Sequence, residues 1–427
     1  MDILVVGGGG REHAIIRKLK QSPQCNAIYC TPGNGGISCD AECFDIAADD
    51  IKGVIALAKR LKVDLVFVAP DDPLVAGMVD ELENEGIAAF GPNAAAAVIE
   101  GSKVFSKRLM KKYNIPTAGY EVFDKPADAL TYIRRRGQYP TVVKADGLAL
   151  GKGVILCDDY SGAKDAVKSI MEDKIFGRSG NRIVVEEYLT GPEVSVLAFT
   201  DGKTIYPMVS AKDHKRVFDG DLGPNTGGMG TVSPNPHYDD KTAEYCMNNI
   251  FIPTIEAMNT EGRPFKGCLF FGLMLTADGP KVIEYNCRFG DPEAQVVLPR
   301  LDTDFVDILN AIRHQRLSEI KIKWSKEACA CVIMASGGYP GKYKKDIEIK
   351  GLNPNGQIDG AMVFHAGTNK VNDAFYTNGG RVLGVTAKAE SLEKALNRAY
   401  ESVSRIDFAD AHYRRDIGRQ RYSINKK

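Results

Sequence analysis

The chain has 427 residues, of which 44% are hydrophobic and 26% are charged. These proportions are typical of soluble globular proteins, and the length is too great for one ordinary core, so about three domains are expected. Lys and Arg together number 55, as do Asp and Glu. This balance excludes a net field that would draw the protein to nucleic acid or to an anionic membrane.

Ten cysteines are present, and no pair of them has the C-x-x-C spacing of a zinc or redox motif. Most lie in apolar runs such as Cys329–Ile333, which indicates buried free thiols and a reducing compartment. The first residues, Met1–Val6, lack the basic region of a secretion signal, and no stretch reaches the ~18 apolar residues of a membrane span. We therefore expect a cytoplasmic monomer that contacts neither membrane nor nucleic acid.

Residues 2 to about 92 alternate between short β-rich runs and amphipathic helical stretches, which is the pattern of a parallel sheet with flanking helices. A further helix is expected after Ser102, whose hydroxyl suits a helix cap, and Pro116 ends it. The expected strands are 3–6, 27–30, 65–69 and 88–90, and the expected helices are 51–61 and 74–85.

From about residue 117 the sequence favours hairpins and a mixed α+β fold. The elements expected there are a hairpin of strands 141–145 and 154–157, a strand at 182–188, a hairpin of 194–200 and 203–207, a helix at 241–261, a hairpin of 268–276 and 281–286, and a helix at 304–316. The polar, glycine-rich segment 214–236 is predicted to be a long loop with little regular structure. After residue 328 the expected elements are strands 330–335, 362–365 and 382–387 and a helix at 392–406.

A glycine run, Gly7–Gly10, lies between the first predicted strand and a helix. Glycines in this position let backbone amides approach an anion at the helix N-terminus, and Arg11 adds a positive charge beside them. A dinucleotide site is disfavoured, because the third glycine of G-x-G-x-x-G is missing and no acid ends the next strand. Two interpretations remain open, a simple strand–helix turn and a sugar-phosphate site.

A second glycine-rich segment, Lys144–Gly153, forms the predicted tip of a hairpin and carries a lysine near each end. Its spacing differs from that of a P-loop. A flexible loop with lysine can still cover a polyphosphate, because its amides and ammonium groups oppose the phosphate charge. A mobile exposed turn explains the same residues equally well.

The most specific pattern is Glu284 and Asn286, which stand two residues apart on a predicted strand and therefore share one face. Two oxygen ligands held side by side suit an Mg²⁺ ion that bridges nucleotide phosphates. Ile283 and Tyr285 are predicted to point the other way, into a core. Arg288 lies just beyond, where a guanidinium can meet a phosphoryl group in transfer. A solvated strand edge is the alternative, and the residues that follow disfavour it.

A further pattern combines Asp213–Arg216, with three adjacent basic residues, and the glycine-dense segment Gly223–Gly230. Basic runs are usually solvated surface. The glycines that follow favour backbone donors gathered around an oxyanion. His214 by itself is a weak signal, since a lone histidine is more often structural.

Together these residues resemble the ATP-grasp ligases, which hold ATP between two α+β lobes, and among them the glycinamide ribonucleotide synthetase family. The resemblance extends over nearly the whole chain, and its most specific blocks are Asp213–Arg216 and Asn225–Gly230. The other blocks that carry it are Gly9–Ala14, Pro32–Asn34, Glu100–Lys103, Lys144–Gly153, Asn286–Glu293 and Thr377–Val382.

The resemblance implies a multidomain α/β and α+β fold. It would consist of an N-terminal parallel-sheet α/β domain at 1–101, an ATP-grasp small lobe with the glycine-rich phosphate loop at 102–192, an ATP-grasp large lobe with the metal site at 193–327, and a C-terminal α+β domain at 328–427.

The resemblance also implies roles for individual residues. ATP would be bound by Lys103, Lys144, Gly147, Gly151, Gly153, Glu186, Tyr188, Leu189 and Glu193, with Glu186 at the adenine and Glu193 at the ribose. Phosphoribosylamine and glycine would be bound by Gly9, Gly10, Arg11, Glu12, Asn34, Asp213, Arg216, Gly228 and Asp291. Glu284 and Asn286 would bind Mg²⁺ or Mn²⁺, and Arg288, Lys144, His214 and Lys215 would act in catalysis.

Two positions differ from common patterns in these enzymes. Phe271–Met274, on the strand before Glu284, carries no acid, unlike many ATP-grasp enzymes but like this ligase family. Asp71 stands where the family usually has glutamate. Its side chain is one methylene shorter and therefore reaches less far toward a substrate.

The implied reaction belongs to de novo purine biosynthesis. The glycine carboxylate would attack the ATP γ-phosphate, and the amine of phosphoribosylamine would then displace phosphate from glycyl phosphate. Three alternatives remain at this point: an ATP-grasp enzyme with a different acid such as a purine carboxylase, a nucleotide-sensing protein without catalysis, and the disfavoured nicotinamide-dependent dehydrogenase.

Overall fold

The computed structural model describes residues 1–149 and 153–419. Its N-terminal part is a five-stranded parallel sheet, as predicted, with helices against both faces. Ile3 and Val5 of the first strand pack into one apolar layer, and Leu4 and Val6 pack into the other. The elements are β1 (Asp2–Gly7), α1 (Gly10–Leu19), β2 (Ala27–Pro32), β3 (Glu42–Cys43), α2 (Ile51–Leu61), β4 (Leu65–Val68), α3 (Asp71–Val75), α4 (Met78–Asn84), β5 (Ala89–Phe90), α5 (Ala94–Gly101) and α6 (Lys103–Lys112). The strand order is β3-β2-β1-β4-β5.

Most predicted elements of this part are confirmed to within two residues, and α2 has the predicted bounds. The single helix predicted at 74–85 is wrong. Two helices, α3 and α4, are separated at Gly77, whose φ of +90° is left-handed and interrupts the helix. Ser102 caps α6 as predicted, because its hydroxyl accepts a hydrogen bond from the Phe105 backbone N–H at 3.1 Å.

Residues 120–187 form a second sheet, which we call the small-sheet unit. Its elements are β6 (Tyr120–Phe123), α7 (Pro126–Arg136), β7 (Thr141–Ala145), β8 (Val154–Cys157), α8 (Tyr160–Val167) and β9 (Ile183–Glu187). The antiparallel strand order is β6-β9-β7-β8, and the predicted hairpin of β7 and β8 is confirmed with the same bounds. Its apolar core is its own, since every member lies between residues 123 and 185.

The next part contains a four-stranded antiparallel sheet and a short two-stranded hairpin. Its elements are β10 (Glu193–Asp201), β11 (Ile205–Pro207), β12 (Lys212–Asp213), β13 (Arg216–Phe218), β14 (Leu222–Asn225), β15 (Gly230–Ser233), α9 (Asp240–Cys246), α10 (Ile252–Thr260), β16 (Lys266–Thr276), β17 (Gly279–Asn286), α11 (Ala294–Val297) and α12 (Phe305–Arg313). The strand order is β11-β10-β16-β17. A π-helical turn, Met247–Phe251, joins α9 to α10, so the helix predicted at 241–261 is confirmed as one continuous stretch.

The C-terminal part is strand-rich and ends with a helix, as predicted. Its elements are β18 (Ala328–Ala335), β19 (Glu348–Ile349), β20 (Met362–His365), β21 (Thr368–Val371), β22 (Ala374–Thr377), β23 (Arg381–Ala389) and α13 (Leu392–Val403). The larger sheet has the order β12-β15-β18-β23-β20, and a three-stranded sheet has the order β19-β22-β21. The larger sheet therefore takes two strands from a stretch that was predicted to belong to the preceding domain.

The prediction that 214–236 is a loop with little regular structure is wrong in part. Strands β13 and β14 pair with each other inside it, and β15 pairs with β18. These strands are short, β14 contains Gly223 and Pro224, and the partner of β15 lies far along the chain. Local periodicity carries little information about such pairings.

One apolar cluster joins the N-terminal sheet, the β10–β17 sheet and the C-terminal sheet. Val5, Phe199, Phe305 and Cys331 all belong to it. We call residues 1–119 and 188–419 the body. All ten cysteines are free and most are buried, as predicted. None of the helices in the described ranges has the length and apolar character that crossing a membrane requires.

Candidate active site

Helix α6 and strand β7 bring three lysines to the seam between the small-sheet unit and the body. Lys103 and Lys107 lie four residues apart on α6 and so share a face. Lys103 Nζ donates to the Gly147 carbonyl at 2.9 Å. Lys144 Nζ, on β7, donates across the seam to the Ile283 carbonyl at 3.3 Å. Positive charge is therefore concentrated where the glycine-rich turn begins.

Glu186 on β9 is the buried anion that Lys107 and Lys144 share. Its Oε2 lies 3.0 Å from each ammonium nitrogen, and the side chain is 3% exposed. Burial raises the pKa of Glu186, but Lys144 and Lys107 outweigh it, so the pKa lies below its ordinary value. The second oxygen, Oε1, is buried without a hydrogen-bond partner among residues 1–149 and 153–419. A buried acceptor without a donor points to a ligand.

Strand β17 presents Glu284 and Asn286 at the same seam. A β-bulge against β16 inserts Ile283 as an extra residue and shifts the alternation of side chains. The prediction that Ile283 points into a core is therefore wrong, since Val282 and Tyr285 are the buried residues and Ile283 is only half-buried. Glu284 and Asn286 flank the buried Tyr285 and share the opposite face, as predicted.

Lys215 lies between two carboxylates of the body. Its Nζ is 3.2 Å from Glu193 Oε2 and 3.7 Å from Glu284 Oε1. The Glu193 carboxylate raises the pKa of Lys215 above its ordinary value in spite of burial. Burial raises the pKa of Glu284, but Lys215 and Lys144 outweigh it and the net pKa is lowered. Glu284 is therefore ionised at neutral pH, as a metal ligand must be.

Glu100, in the last turn of α5, fixes the end of β17. Its Oε1 accepts from Asn286 Nδ2 at 2.8 Å, and its Oε2 accepts from the Cys287 backbone N–H at 2.7 Å. Because the Asn286 nitrogen faces Glu100, the Asn286 carbonyl oxygen is the atom that can meet a cation. Arg288 lies 3.1 Å from Glu100 and 3.4 Å from Asp71. Its Nε is buried without a partner in the described part of the chain, which leaves a donor for a ligand.

The donor chemistry of Glu284 and Asn286 fits Mg²⁺ or Mn²⁺. An ionised carboxylate and an amide oxygen are hard oxygen donors. Within the described ranges, no group of three or more His, Cys, Asp or Glu side chains is arranged to hold a metal ion. The pair therefore suits an ion that takes its remaining ligands from phosphates and water.

The glycine run at the start of α1 is surrounded by carboxylates. Glu12 Oε2 accepts from the Gly9 backbone N–H at 2.6 Å, and Glu12 Oε1 lies 2.6 Å from Arg11 Nε. Asp291 Oδ2 accepts from the Arg11 backbone N–H at 3.4 Å, and Asp291 Oδ1 lies 3.2 Å from Arg381 NH2. The predicted substrate-binding residues that meet here are Gly9, Gly10, Arg11, Glu12 and Asp291.

Two predicted site residues have their polar side-chain atoms bonded to backbone. Asn34 donates from Nδ2 to two carbonyls and accepts two backbone N–H groups at Oδ1. The His214 ring is 2% exposed, with Nδ1 3.0 Å from the Gly230 carbonyl and Nε2 accepting from the Gly418 N–H at 3.1 Å. Burial lowers the pKa of His214 to about 4, so the ring is neutral. These contacts favour a structural role, in contrast to the predicted catalytic role of His214.

The loop that starts at Asp213 packs against the segment after β17. A Cβ atom at Gly228 would lie 2.6 Å from Asp213 Oδ1 and 2.5 Å from Pro292 Cδ, and its φ is +110°, so only glycine fits. Burial raises the pKa of Asp213 well above its ordinary value. Arg216 NH1 donates to the Gly223 carbonyl at 2.6 Å and so braces the β13–β14 hairpin.

The predicted nucleotide-binding loop is described only at its two ends. A Cβ atom at Gly147 or at Gly153 would lie within 3 Å of a neighbouring side chain. Gly151 lies outside the described residues. Tyr188 and Leu189 follow β9 at the seam, and the Tyr188 side chain is 44% exposed.

Three charged residues lie in the site although no role was predicted for them from the sequence. Lys107 shares Glu186, Glu100 holds Asn286 and Arg288, and Arg381 pairs with Asp291. The position of Lys107 in the site could have been predicted, because it lies four residues after Lys103 and so shares its helix face. The other two depend on contacts between elements that are distant in sequence.

Two mixed α+β units that face each other across lysines and a Glu–Asn pair are the architecture of the ATP-grasp class. Family models of phosphoribosylglycinamide synthetase match the chain in three consecutive parts: the N domain at residues 1–100, the ATP-grasp (A) domain at 101–294 and the C domain at 329–420. The chain belongs to the phosphoribosylglycinamide synthetase family.

Curated relatives and solved structures agree with this membership. The phosphoribosylamine–glycine ligase of Caldanaerobacter subterraneus subsp. tengcongensis is 47% identical over 98% of this chain and 99% of its own. That of Brucella melitensis is 48% identical over 98% of this chain and 97% of its own. The crystal structure of the Thermotoga maritima phosphoribosylamine–glycine ligase has a TM-score of 0.85 at 31% identity, covering 98% and 100% of the two chains. A Campylobacter jejuni biotin carboxylase shares the fold, with a TM-score of 0.75 at 14% identity over 96% and 92%.

Proposed function

We propose that the protein joins glycine to 5-phosphoribosylamine with ATP, giving glycinamide ribonucleotide, ADP and phosphate in de novo purine biosynthesis. The names of relatives that are 47% and 48% identical over almost the whole chain support these substrates. The observation that carries the proposal is the seam, where lysines from two elements face an ionised glutamate and an asparagine on β17.

In this proposal ATP occupies the seam. Lys103 and Lys144 oppose the phosphate charge, and Glu186 accepts a hydrogen bond from the adenine through Oε1, which has no partner among the described residues. The segment Tyr188–Leu189 offers backbone groups to the adenine edge. Glu193, whose side chain is 46% exposed, accepts hydrogen bonds from the ribose hydroxyls.

Glu284 and Asn286 are the residues that hold Mg²⁺ or Mn²⁺. When bound, the ion withdraws charge from the phosphate oxygens and so eases the approach of an anion. Lys215, 3.7 Å from Glu284, keeps that carboxylate ionised and ready for the ion.

The acid is activated before the amide forms. The glycine carboxylate attacks the γ-phosphorus, the bond to the bridging oxygen breaks, and ADP leaves glycyl phosphate behind. Arg288 stabilises the charge on the transferring oxygens, and Lys144, beside Glu186, opposes the charge at the base end of the phosphate chain. The amine of phosphoribosylamine then attacks the acyl carbon, and phosphate leaves with the proton of the amine. Closure of the small-sheet unit over the seam keeps water from the acyl phosphate.

We assign the binding of the substrates, ATP and the ion to four domains. Residues 1–101 bind phosphoribosylamine through the cluster at Gly9–Glu12, 102–192 and 193–327 hold ATP and the ion, and 328–427 complete the substrate site through Arg381. The enzyme works on these small molecules as a cytoplasmic monomer.

The test is ADP release with glycine and phosphoribosylamine supplied together and singly. We expect full turnover only with both present, and none when bicarbonate replaces glycine. Bicarbonate-dependent release would instead identify a carboxylase, and tight ATP binding without any product would identify a nucleotide sensor.

A further inference from the structure

Lys107 is a buried cation with no part in the reaction described above. Its side chain is 2% exposed, and its Nζ donates to Thr117 Oγ1 at 2.8 Å and lies 3.0 Å from Glu186 Oε2. Thr117 Oγ1 in turn donates to the Val282 carbonyl at 2.7 Å. The ammonium group is thus fixed from three sides, by α6, by β9 and by the strand that carries the metal pair.

The two carboxylate oxygens of Glu186 have different surroundings. Lys107 and Lys144 both approach Oε2, whereas Oε1 is buried and has no hydrogen-bond partner within residues 1–149 and 153–419. An ionised carboxylate accepts hydrogen bonds and cannot donate them. A ligand group that reaches Oε1 must therefore bring a donor, because an acceptor there would leave two oxygens opposed and desolvated.

We propose that Lys107 is a positioning residue that makes the site select 6-amino over 6-oxo purine nucleoside triphosphates, an inference that rests on the proposed function. Together with Lys144, it anchors Oε2 and keeps Glu186 ionised, so that Oε1 faces the base as an acceptor. The 6-amino group of adenine donates to it. A 6-oxo purine places a carbonyl oxygen at the same point and is rejected.

Removal of Lys107 is expected to strengthen the binding of 6-oxo purines and to weaken the binding of 6-amino purines. One of the two cations that lower the pKa of Glu186 is lost, so the carboxyl takes up a proton more readily. A protonated carboxyl can donate to a 6-oxo group, and a carboxylate held from one side only aligns less well with a 6-amino group. A residue that merely attached α6 to the sheet would weaken the binding of all nucleotides equally.

The experiment compares K107M with K111M. Lys111 is exposed and lies one turn further along α6, so it is the matched control. The measurements are kcat/KM for ATP and for inosine triphosphate with both co-substrates saturating, and the Kd values of ADP and inosine diphosphate by calorimetry without metal. We expect the ratio in favour of the adenine nucleotide to fall about tenfold or more in K107M and to stay unchanged in K111M.

Two further variants keep the test decisive. K107R retains the charge and is expected to keep most of the preference, and T117V removes the second anchor and is expected to reduce it by a smaller factor than K107M. Equal losses for both nucleotides in K107M would overturn the inference, whatever the stability of the variant. If the wild type releases no ADP with glycine and phosphoribosylamine, the proposed function fails instead, and the diphosphate binding ratio separates the two failures.

Discussion

The small-sheet unit and the body are assembled in different ways. The body joins three sheets around one apolar cluster, in which the Phe305 ring lies 6.1 to 6.2 Å from those of Phe67, Phe199 and Phe289. The small-sheet unit has a core of its own around residues such as Ile133. Among the described residues no apolar cluster spans the seam between them.

The contacts across the seam are polar. Lys103 donates to Gly147, Lys107 pairs with Glu186, and Lys144 reaches the backbone of β17. Opening such a seam exposes little apolar surface, and its charged groups regain water. In the proposed function, a polyanion bound between the lysines attracts both sides of the seam. This difference lets the small-sheet unit move while the body stays rigid, which is what the proposed closure over a nucleotide requires.

The largest expected effect is on catalysis, at the body side of the seam. Glu284→Ala removes the carboxylate that we propose as a metal ligand, and we expect glycine-dependent ADP release to fall at least ~10²–10³-fold, the range typical for loss of a charge-stabilising group. Asp278→Ala is the control, because this side chain lies in the turn of the same hairpin and is 83% exposed. The melting temperatures of both variants should match that of the wild type, and retained turnover in Glu284→Ala would remove the metal assignment.

A pair of core substitutions tests the separate cores. Phe305→Ala in the body and Ile133→Ala in the small-sheet unit should each cost about 2–5 kcal/mol, because each empties a well-packed site. In hydrogen exchange we expect Phe305→Ala to loosen the three sheets of the body that share its apolar cluster, and Ile133→Ala to loosen only residues 120–187. Exchange that rises across the whole chain in Ile133→Ala would show that the two cores are one cooperative unit.

The smallest expected effect concerns pH. Burial lowers the pKa of Lys107 to about 8, against the opposing effect of Glu186, and the other charged or titratable groups that face it are Lys144, Glu187 and Tyr120. Burial lowers the folded-state pKa of Lys107 from its ordinary value of 10.5 to about 8, so the buried ammonium form reduces the free energy of unfolding below pH 8. This cost is lost as the pH rises from about 8 to about 10.5. Above pH 8 the neutral amine holds Glu186 less firmly, so the preference for ATP over inosine triphosphate should decline a few-fold between pH 7 and 9.

K107R checks the origin of this pH effect. Its guanidinium stays charged throughout that range, so its nucleotide preference should be flat with pH. A wild-type decline that persists unchanged in K107R would assign the titration to another group.

Local patterns in the sequence predict the elements that local forces determine. The β7–β8 hairpin and α2 have the predicted bounds, and Glu284 and Asn286 share a face because alternation along a strand is a local rule. The half-buried position of Ile283 was not predictable, since the bulge depends on the facing strand. Likewise, the pairing of β15 with β18 joins residues that are far apart in the chain.

In the candidate site, too, local features were predictable from the sequence and contacts between distant elements were not. The sequence singled out lysines and acids within each block, but their pairing across sheets is a tertiary property. Glu186 was expected at the adenine, and only the structure shows that two lysines contact one of its oxygens, while the other has no hydrogen-bond partner in the described part of the chain. His214 belongs to one of the most specific blocks of the resemblance, yet its ring is enclosed by backbone.

A crystal structure with a non-hydrolysable ATP analogue and Mg²⁺ is the most direct test of the seam as the nucleotide site. We expect the phosphates between Lys103 and Lys144, with the ion bound to Glu284 and Asn286. A nucleotide bound elsewhere, or an ion that neither of these two side chains touches, would contradict the account.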